Sequence, residues 1–136
     1  MYCVRNVTED LYWIGANDHR LSLFENIHPI PEGVSYNAYV LMDEKTVLFD
    51  TIDWSSCRQF LENLEHVLNG RPLDYMVINH MEPDHGASIE EVLLRYPNVT
   101  IISTEKAFML MRQFDFHVDG HTLDEVKEGD TRCFGK

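Results

Sequence analysis

The chain has 136 residues, enough for one domain with its own core or for part of a larger one. Its content of 44% hydrophobic and 25% charged residues is that of an ordinary globular protein. A formal net charge of −12, with no Lys/Arg cluster to offset it, excludes a nucleic-acid partner and reads as a solvated acidic surface, with attraction of a basic protein as the alternative. No apolar run approaches the roughly 18 residues of a membrane span, so no membrane role is expected. No charged-then-apolar leader opens the sequence. Cys3, Cys57 and Cys133 are odd in number and lack a C-x-x-C pair. That pattern points to reduced thiols and a cytoplasmic location, and none of the three is a candidate nucleophile.

In chain order, Tyr2-Cys3-Val4 and Leu11-Tyr12-Trp13-Ile14 predict two short strands, and Gly15 ends the second. Ala16 to Gly33 reads as a long loop broken by Pro29, Pro31 and Gly33, with one helical turn possible over Leu21 to Ile27. A loop of that length is either a site wall or a surface excursion. Tyr36 to Met42 and Thr46 to Asp50 predict a hairpin around Asp43-Glu44-Lys45, and the second arm is apolar enough to be covered on both faces.

Asp53 or Ser55 can cap the next helix, in which Phe60, Leu61, Leu64, Val67 and Leu68 recur at helical spacing until Asn69-Gly70-Arg71-Pro72 stops it. Tyr75 to Ile78 predicts a buried strand. Ser88 can cap a helix carrying Ile89, Val92, Leu93 and Tyr96, which Pro97 ends. Val99 to Ile102 predicts a strand, and Ser103 the cap of a helix whose face of Phe108, Met109, Met111 and Phe114 is read as core. Val126 to Phe134 offers one weak strand. The order predicts an α/β layer structure with an antiparallel first part and a more parallel continuation.

The chemistry concentrates in His80-Met81-Glu82-Pro83-Asp84-His85-Gly86, where four potential ligands fall within six residues directly after a buried strand. Loops beyond the carboxyl ends of strands are where such sheets place their sites. Single histidines in loops are usually solvated, and acidic residues after a strand often cap a helix. All four together point instead to a metal. Imidazole and carboxylate suit zinc, iron or manganese, and the lack of thiolate argues against a structural zinc site. Four donors exceed what one open catalytic ion takes, which points to a pair of metals. Asp50, at the end of the preceding strand, is either a partner that orients a ligand or a helix cap.

H-x-E-x-D-H after a strand resembles the H-x-H-x-D-H signature of the metallo-β-lactamase fold, with Glu82 in place of the second His. That variant resembles the flavodiiron proteins, or A-type flavoproteins. Tyr12-Trp13-Ile14-Gly15-Ala16, Leu23-Phe24-Glu25-Asn26, Gly33 to Tyr39, Leu48-Phe49-Asp50-Thr51 and Val77-Ile78-Asn79-His80 carry the likeness in order along nearly the whole chain. The resemblance implies the first half of a metallo-β-lactamase-like αββα sandwich, with a mixed sheet. It implies that His80 and Glu82 ligate one iron and Asp84 and His85 the other, in a non-haem diiron site. Oxygen or nitric oxide is the implied substrate, with electrons from FMN in a flavodoxin-like domain, a rubredoxin-like or flavin donor, and a homo-oligomeric full-length form. A harder, anionic Glu82 favours iron redox chemistry over zinc hydrolysis. Phe24 and Glu25 would lie beside the substrate pocket; some relatives carry His where Glu25 stands.

The resemblance also implies a further His, a bridging Asp and another His that residues 1–136 do not supply, and a flavodoxin-like domain they do not contain. No residue is therefore assigned as catalytic, and the chain alone is expected to be inactive. His117 and His121 match none of those positions and are expected to be solvated. The alternatives are a metal-dependent hydrolase of the same fold and a non-catalytic remnant.

Overall fold

Strand pairing in this chain is antiparallel through successive hairpins before it turns parallel. The computed structural model describes residues 3–18, 23, 24, 28, 29 and 34–135. In chain order these form β1 (Arg5–Asn6), β2 (Leu11–Trp13), β3 (Ala16–Asp18), β4 (Leu23–Phe24), β5 (His28–Pro29), β6 (Val34–Tyr36), β7 (Tyr39–Met42) and β8 (Thr46–Phe49). A 3-10 turn (Trp54–Ser56) leads into α1 (Cys57–Leu68). Then come β9 (Tyr75–Val77), α2 (Pro83–Gly86), α3 (Ile89–Arg95), β10 (Thr100–Ser103), α4 (Glu105–Gln113) and β11 (Thr122–Glu125).

Among the described residues the main sheet has seven strands in the order β1-β2-β7-β8-β9-β10-β11. Pairing is antiparallel from β1 to β8 and parallel from β8 to β11, as the sequence predicts. The stretch expected as a long loop is different. β3 pairs with β6 and β4 with β5, in the register already set by β2 and β7: Leu11 faces Leu41, Ala16 faces Tyr36 and Leu23 faces Pro29. Pro29 sits in a two-residue strand of that small side ladder, away from the main sheet.

The arm read as one strand from Tyr36 to Met42 is interrupted at Asn37 and Ala38, where it passes from the side ladder to the main sheet. Gly15 marks the same crossing on the facing arm. A Cβ there would stand 1.9 Å from the Tyr36 carbonyl oxygen, so no larger residue fits. The first strand lies at Arg5–Asn6 rather than Cys3–Val4; the main chain of Cys3 is instead tied to the Asn63 amide of α1, at 3.0 and 3.2 Å.

Tyr12, Val40, Leu48, Met76, Ile101 and Leu123 stand opposite one another across the sheet and form its helix-facing row. Phe60, Leu64, Val92, Phe108 and Met111 of the helices join them in one core. Each buried side chain of this size contributes about 1.5–3 kcal/mol. The helix ends are set locally. Asp53 accepts the Ser55 N–H at 2.9 Å, and α1 ends at Asn69 with φ of 47°, followed by Gly70 with φ of 89°.

Three cap and core assignments change. Thr104, not Ser103, caps α4; Ser103 completes β10 and donates to the Ile78 carbonyl at 2.7 Å. Ser88 stands at the start of α3 but donates to the Ile52 carbonyl instead of capping. Of the four residues read as the core face around α4, Phe108 and Met111 reach the core, while Met109 and Phe114 are 49% and 57% exposed. A nine-residue helix on a sheet buries one stripe, and these two lie outside it.

The last strand is Thr122–Glu125, ahead of the predicted weak one, and the tail after it returns across the second sheet face. Arg132 pairs with Asp124, and Phe134 packs on Tyr75 with ring centroids 5.1 Å apart. On that face Tyr39, Leu41, Phe49, Tyr75 and Val77 remain partly exposed. No helix among the described residues is long and apolar enough to cross a membrane.

Candidate metal centre

The site forms where two parallel strands end side by side. Asp50 follows β8 with φ of 63°, a left-handed conformation that Asp tolerates better than most residues. Its carboxylate accepts the main-chain N–H of Asn79 at 2.7 Å and the Asn79 side-chain amide at 2.9 Å. Thr51 then donates both its N–H and its hydroxyl to the His85 carbonyl. Ile52 accepts from Ser88 at 2.9 Å. Three consecutive residues after β8 thus clamp the beginning, middle and end of the ligand-rich turn.

Within the turn, buried Met81 anchors the chain, and Pro83 opens the single helical turn of α2 with Glu82 at its N-cap position. That turn lifts Asp84 and His85 back toward His80. The His80 and His85 rings lie 4.0 Å apart, centroid to centroid. One donor atom from each of His80, Asp84 and His85 falls within 4.8 Å of the others. His85 stands between two carboxylates, with Nδ1 3.2 Å from Asp50 and Nε2 3.4 Å from Asp84. The Nδ1 approach is close but off the line of a hydrogen bond, and Asp84 Oδ1 is buried without any partner.

That orphaned oxygen tests the site for a metal. A buried carboxylate oxygen with nothing to accept from costs free energy that a cation would recover. Two imidazoles and a carboxylate are the donors that zinc and iron take. The residues present fit an ion.

Of the sequence-predicted ligands, the structure brings together His80, Asp84 and His85. Glu82 is exposed and its carboxylate stands outside the trio; its N–H approaches His80 Nδ1 at 3.4 Å. Asp50 is no helix cap, since Asp53 fills that position and Asp50 faces Asn79 and His85. Phe24 lies in β4, and Glu25 lies outside the described residues. His117 is 89% exposed as expected, though bonded to Glu90. His121 differs from expectation: it is half-buried, and its Nδ1 is fully enclosed without a partner. Sequence reasoning missed Asn79, Thr51 and Ser88 as the turn's supports. Their only signal was position, immediately beside the ligands or the strand end.

Residues 34–133 match the family described as ODP family beta lactamase. The chain belongs to that family. The ODP match contains the whole ligand-rich turn and both strands that carry it.

Among curated relatives, the anaerobic nitric oxide reductase flavorubredoxin of Pectobacterium carotovorum subsp. carotovorum (strain PC1) is 35% identical over 131 residues, covering 96% of this chain and 26% of the relative. The anaerobic nitric oxide reductase flavorubredoxin homolog of Escherichia coli O157:H7 is 32% identical over 130 residues, or 95% of this chain and 31% of that protein. The rubredoxin oxygen:oxidoreductase of Desulfovibrio gigas superposes with a TM-score of 0.88 at 26% identity, covering 98% of this chain and 33% of that one. The flavodiiron protein of Giardia intestinalis gives 0.90 at 24% identity, over 100% and 33% of the two chains, a likeness of fold. The chain therefore spans about a quarter to a third of the length of these relatives. Its likeness to the N-terminal part of the flavodiiron beta-lactamase-like domain, read from sequence, holds in these comparisons.

Proposed function

We propose that this chain is the part of a flavodiiron-type oxidoreductase that carries the first ligands of a non-haem diiron site. The observation that carries the reading is the trio His80, Asp84 and His85, gathered at two strand ends with an unpartnered buried carboxylate oxygen. The match to nitric oxide reductase flavorubredoxins and to a rubredoxin oxygen:oxidoreductase supports the choice of chemistry. When bound, the diiron pair supplies the electrons that reduce oxygen to water or nitric oxide to nitrous oxide, replenished from FMN. His80, Glu82, Asp84 and His85 would hold it, and Asp50 would fix His85 in orientation through Nδ1, leaving Nε2 for metal. Phe24 and Glu25 would border the substrate pocket.

In this reading the remaining ligands and the flavin come from polypeptide outside these 136 residues. A rubredoxin-like or flavin donor, a homo-oligomeric complete protein and a cytoplasmic setting belong to it as well. The isolated chain would then be inactive.

A hydrolase is the second reading, favoured by one observation. Three donors without Glu82 are the three-ligand open site of a hydrolytic ion. The full product of the reading frame, loaded anaerobically with ferrous iron, decides between them. The oxidoreductase should hold two irons and consume oxygen or nitric oxide with a reduced flavin or rubredoxin donor. Retention of a single zinc with ester or lactam hydrolysis would reject it for the hydrolase, and no metal at all would leave a remnant.

A further inference from the structure

We propose that the cavity between β1, β2 and the first turns of α1 is a binding site for a small aromatic anion that carries a phosphate group. The site is separate from the metal centre: none of His80, Glu82, Asp84 or His85 lines it. Its volume is about 870 Å3, within the roughly 300–1,000 Å3 of small-molecule sites. Arg5 of β1 and Arg58 of α1 line it together with the indole of Trp13.

The local charge runs against that of the chain. The sequence holds 11 Lys and Arg against 23 Asp and Glu, yet this cavity has two arginines and one acid, Glu62. Arg58 Nε lies 3.4 Å from Glu62, and the two side chains are 94% and 40% exposed. A pair that open to water contributes little, so an arriving anion takes over the Arg58 guanidinium at small cost. Phosphate offers oxygens to two guanidinium forks, whereas a carboxylate is satisfied by one. Arginines on two different elements therefore favour phosphate.

The frame around them is fixed. Asn63, fully buried, accepts the Cys3 N–H at 3.0 Å and donates to the Cys3 and Ile14 carbonyls at 3.2 Å. It thereby ties the segment leading into Arg5 to the helix that carries Arg58. Trp13 donates its Nε1–H to Asn37 at 3.0 Å, so its polar atom is already used and it offers the cavity apolar ring. A Cβ on Gly15 would stand 3.1 Å from the indole Cε2; Gly15 and Ala16 leave the wall beside that ring low. A flat apolar body against Trp13, with its charge at the arginines, satisfies both walls.

Phenyl phosphate is the probe. Trp54, the only other tryptophan, is 62% exposed and does not line the cavity, so the Trp54→Phe chain reports Trp13 alone. Phenyl phosphate should change its emission saturably, and calorimetry should give one ligand per chain. Arg5→Gln and Arg58→Gln, at exposed positions, should each weaken binding about tenfold or more, with circular dichroism confirming an unchanged fold. Glu62→Gln should tighten binding, because it removes the competing carboxylate. Inorganic phosphate and benzoate should each bind about tenfold more weakly than phenyl phosphate.

A response linear in phenyl phosphate, or one indifferent to both arginine substitutions, would overturn the site. Inorganic phosphate binding as tightly as phenyl phosphate would overturn the part given to Trp13 and with it the ligand class. Benzoate binding as tightly would overturn the choice of phosphate. None of these results bears on the metal centre, whose reading stands or falls on iron loading.

Discussion

Asp50 and Asn79, each just beyond the end of its own strand, are joined by two hydrogen bonds to one carboxylate, at 2.7 and 2.9 Å. The pair fixes where the ligand-rich turn begins. The same carboxylate lies 3.2 Å from His85 Nδ1, so one buried side chain stands beside both the start of the turn and the imidazole near its end.

Asp50→Asn keeps the shape and tolerates the left-handed backbone, but it replaces a charged acceptor by a neutral one. It should cost about 1–2 kcal/mol, read from the urea midpoint. Asp50→Ala also strains the positive φ and should cost about 2–4 kcal/mol. In both variants cobalt affinity should fall about 10–100-fold. Unchanged affinity in a folded Asp50→Asn variant would show that Asp50 supports only the fold.

Gly15 and Gly86 should differ sharply in what the same substitution costs. Gly15→Ala sets a Cβ 1.9 Å from a main-chain oxygen and should cost at least about 3 kcal/mol. At Gly86 the nearest atoms are the Met81 oxygen at 3.3 Å and its flexible methyl at 3.4 Å. Gly86→Ala, inside α2, should stay within about 1 kcal/mol of the parent in thermal denaturation.

Acid should release the tail before it unfolds the core. Two hydrogen bonds from Arg132, at 2.7 and 2.8 Å, hold the Asp124 carboxyl below the usual carboxylate range. A depressed folded-state value means that the bond stabilises fully above the unfolded carboxylate pKa of about 3.9 and is lost as pH falls below it. Amide exchange at Phe134 and Gly135 should therefore rise below about pH 4 in the parent. In Arg132→Ala it should be high at every pH.

Thiol reactivity should divide the cysteines. Burial pushes the Cys57 thiol up, outweighing its hydrogen bond with Ser88, whereas Cys3 and Cys133 are exposed. The thiolate is the reactive form. Iodoacetamide at pH 8, followed by mass spectrometry, should modify Cys3 and Cys133 in the native chain and reach Cys57 only in denaturant.

The sequence by itself determined whatever depends on near neighbours. Helical spacing from Phe60 to Leu68 and the Asn69-Gly70 stop located α1, since burial of one stripe and a left-handed end are local demands. The strand before His80, and the crowding of four donors after it, marked the site for the same reason. Only the tertiary structure decided which groups meet. Asp50 lies 29 positions from Asn79, and its hydrogen bond exists because β8 and β9 pair in parallel, which no local spacing encodes. Glu82 belongs to the motif in sequence, but the N-cap geometry of α2 turns it away from His80, Asp84 and His85. Met109 and Phe114 carry a core-like spacing, yet the sheet covers only one stripe of α4. Ser103 and Ser88 read as caps, and the strand carbonyls of Ile78 and Ile52 claimed their hydroxyls instead. Composition and periodicity report what each segment can do alone; long-range pairing chooses among those options.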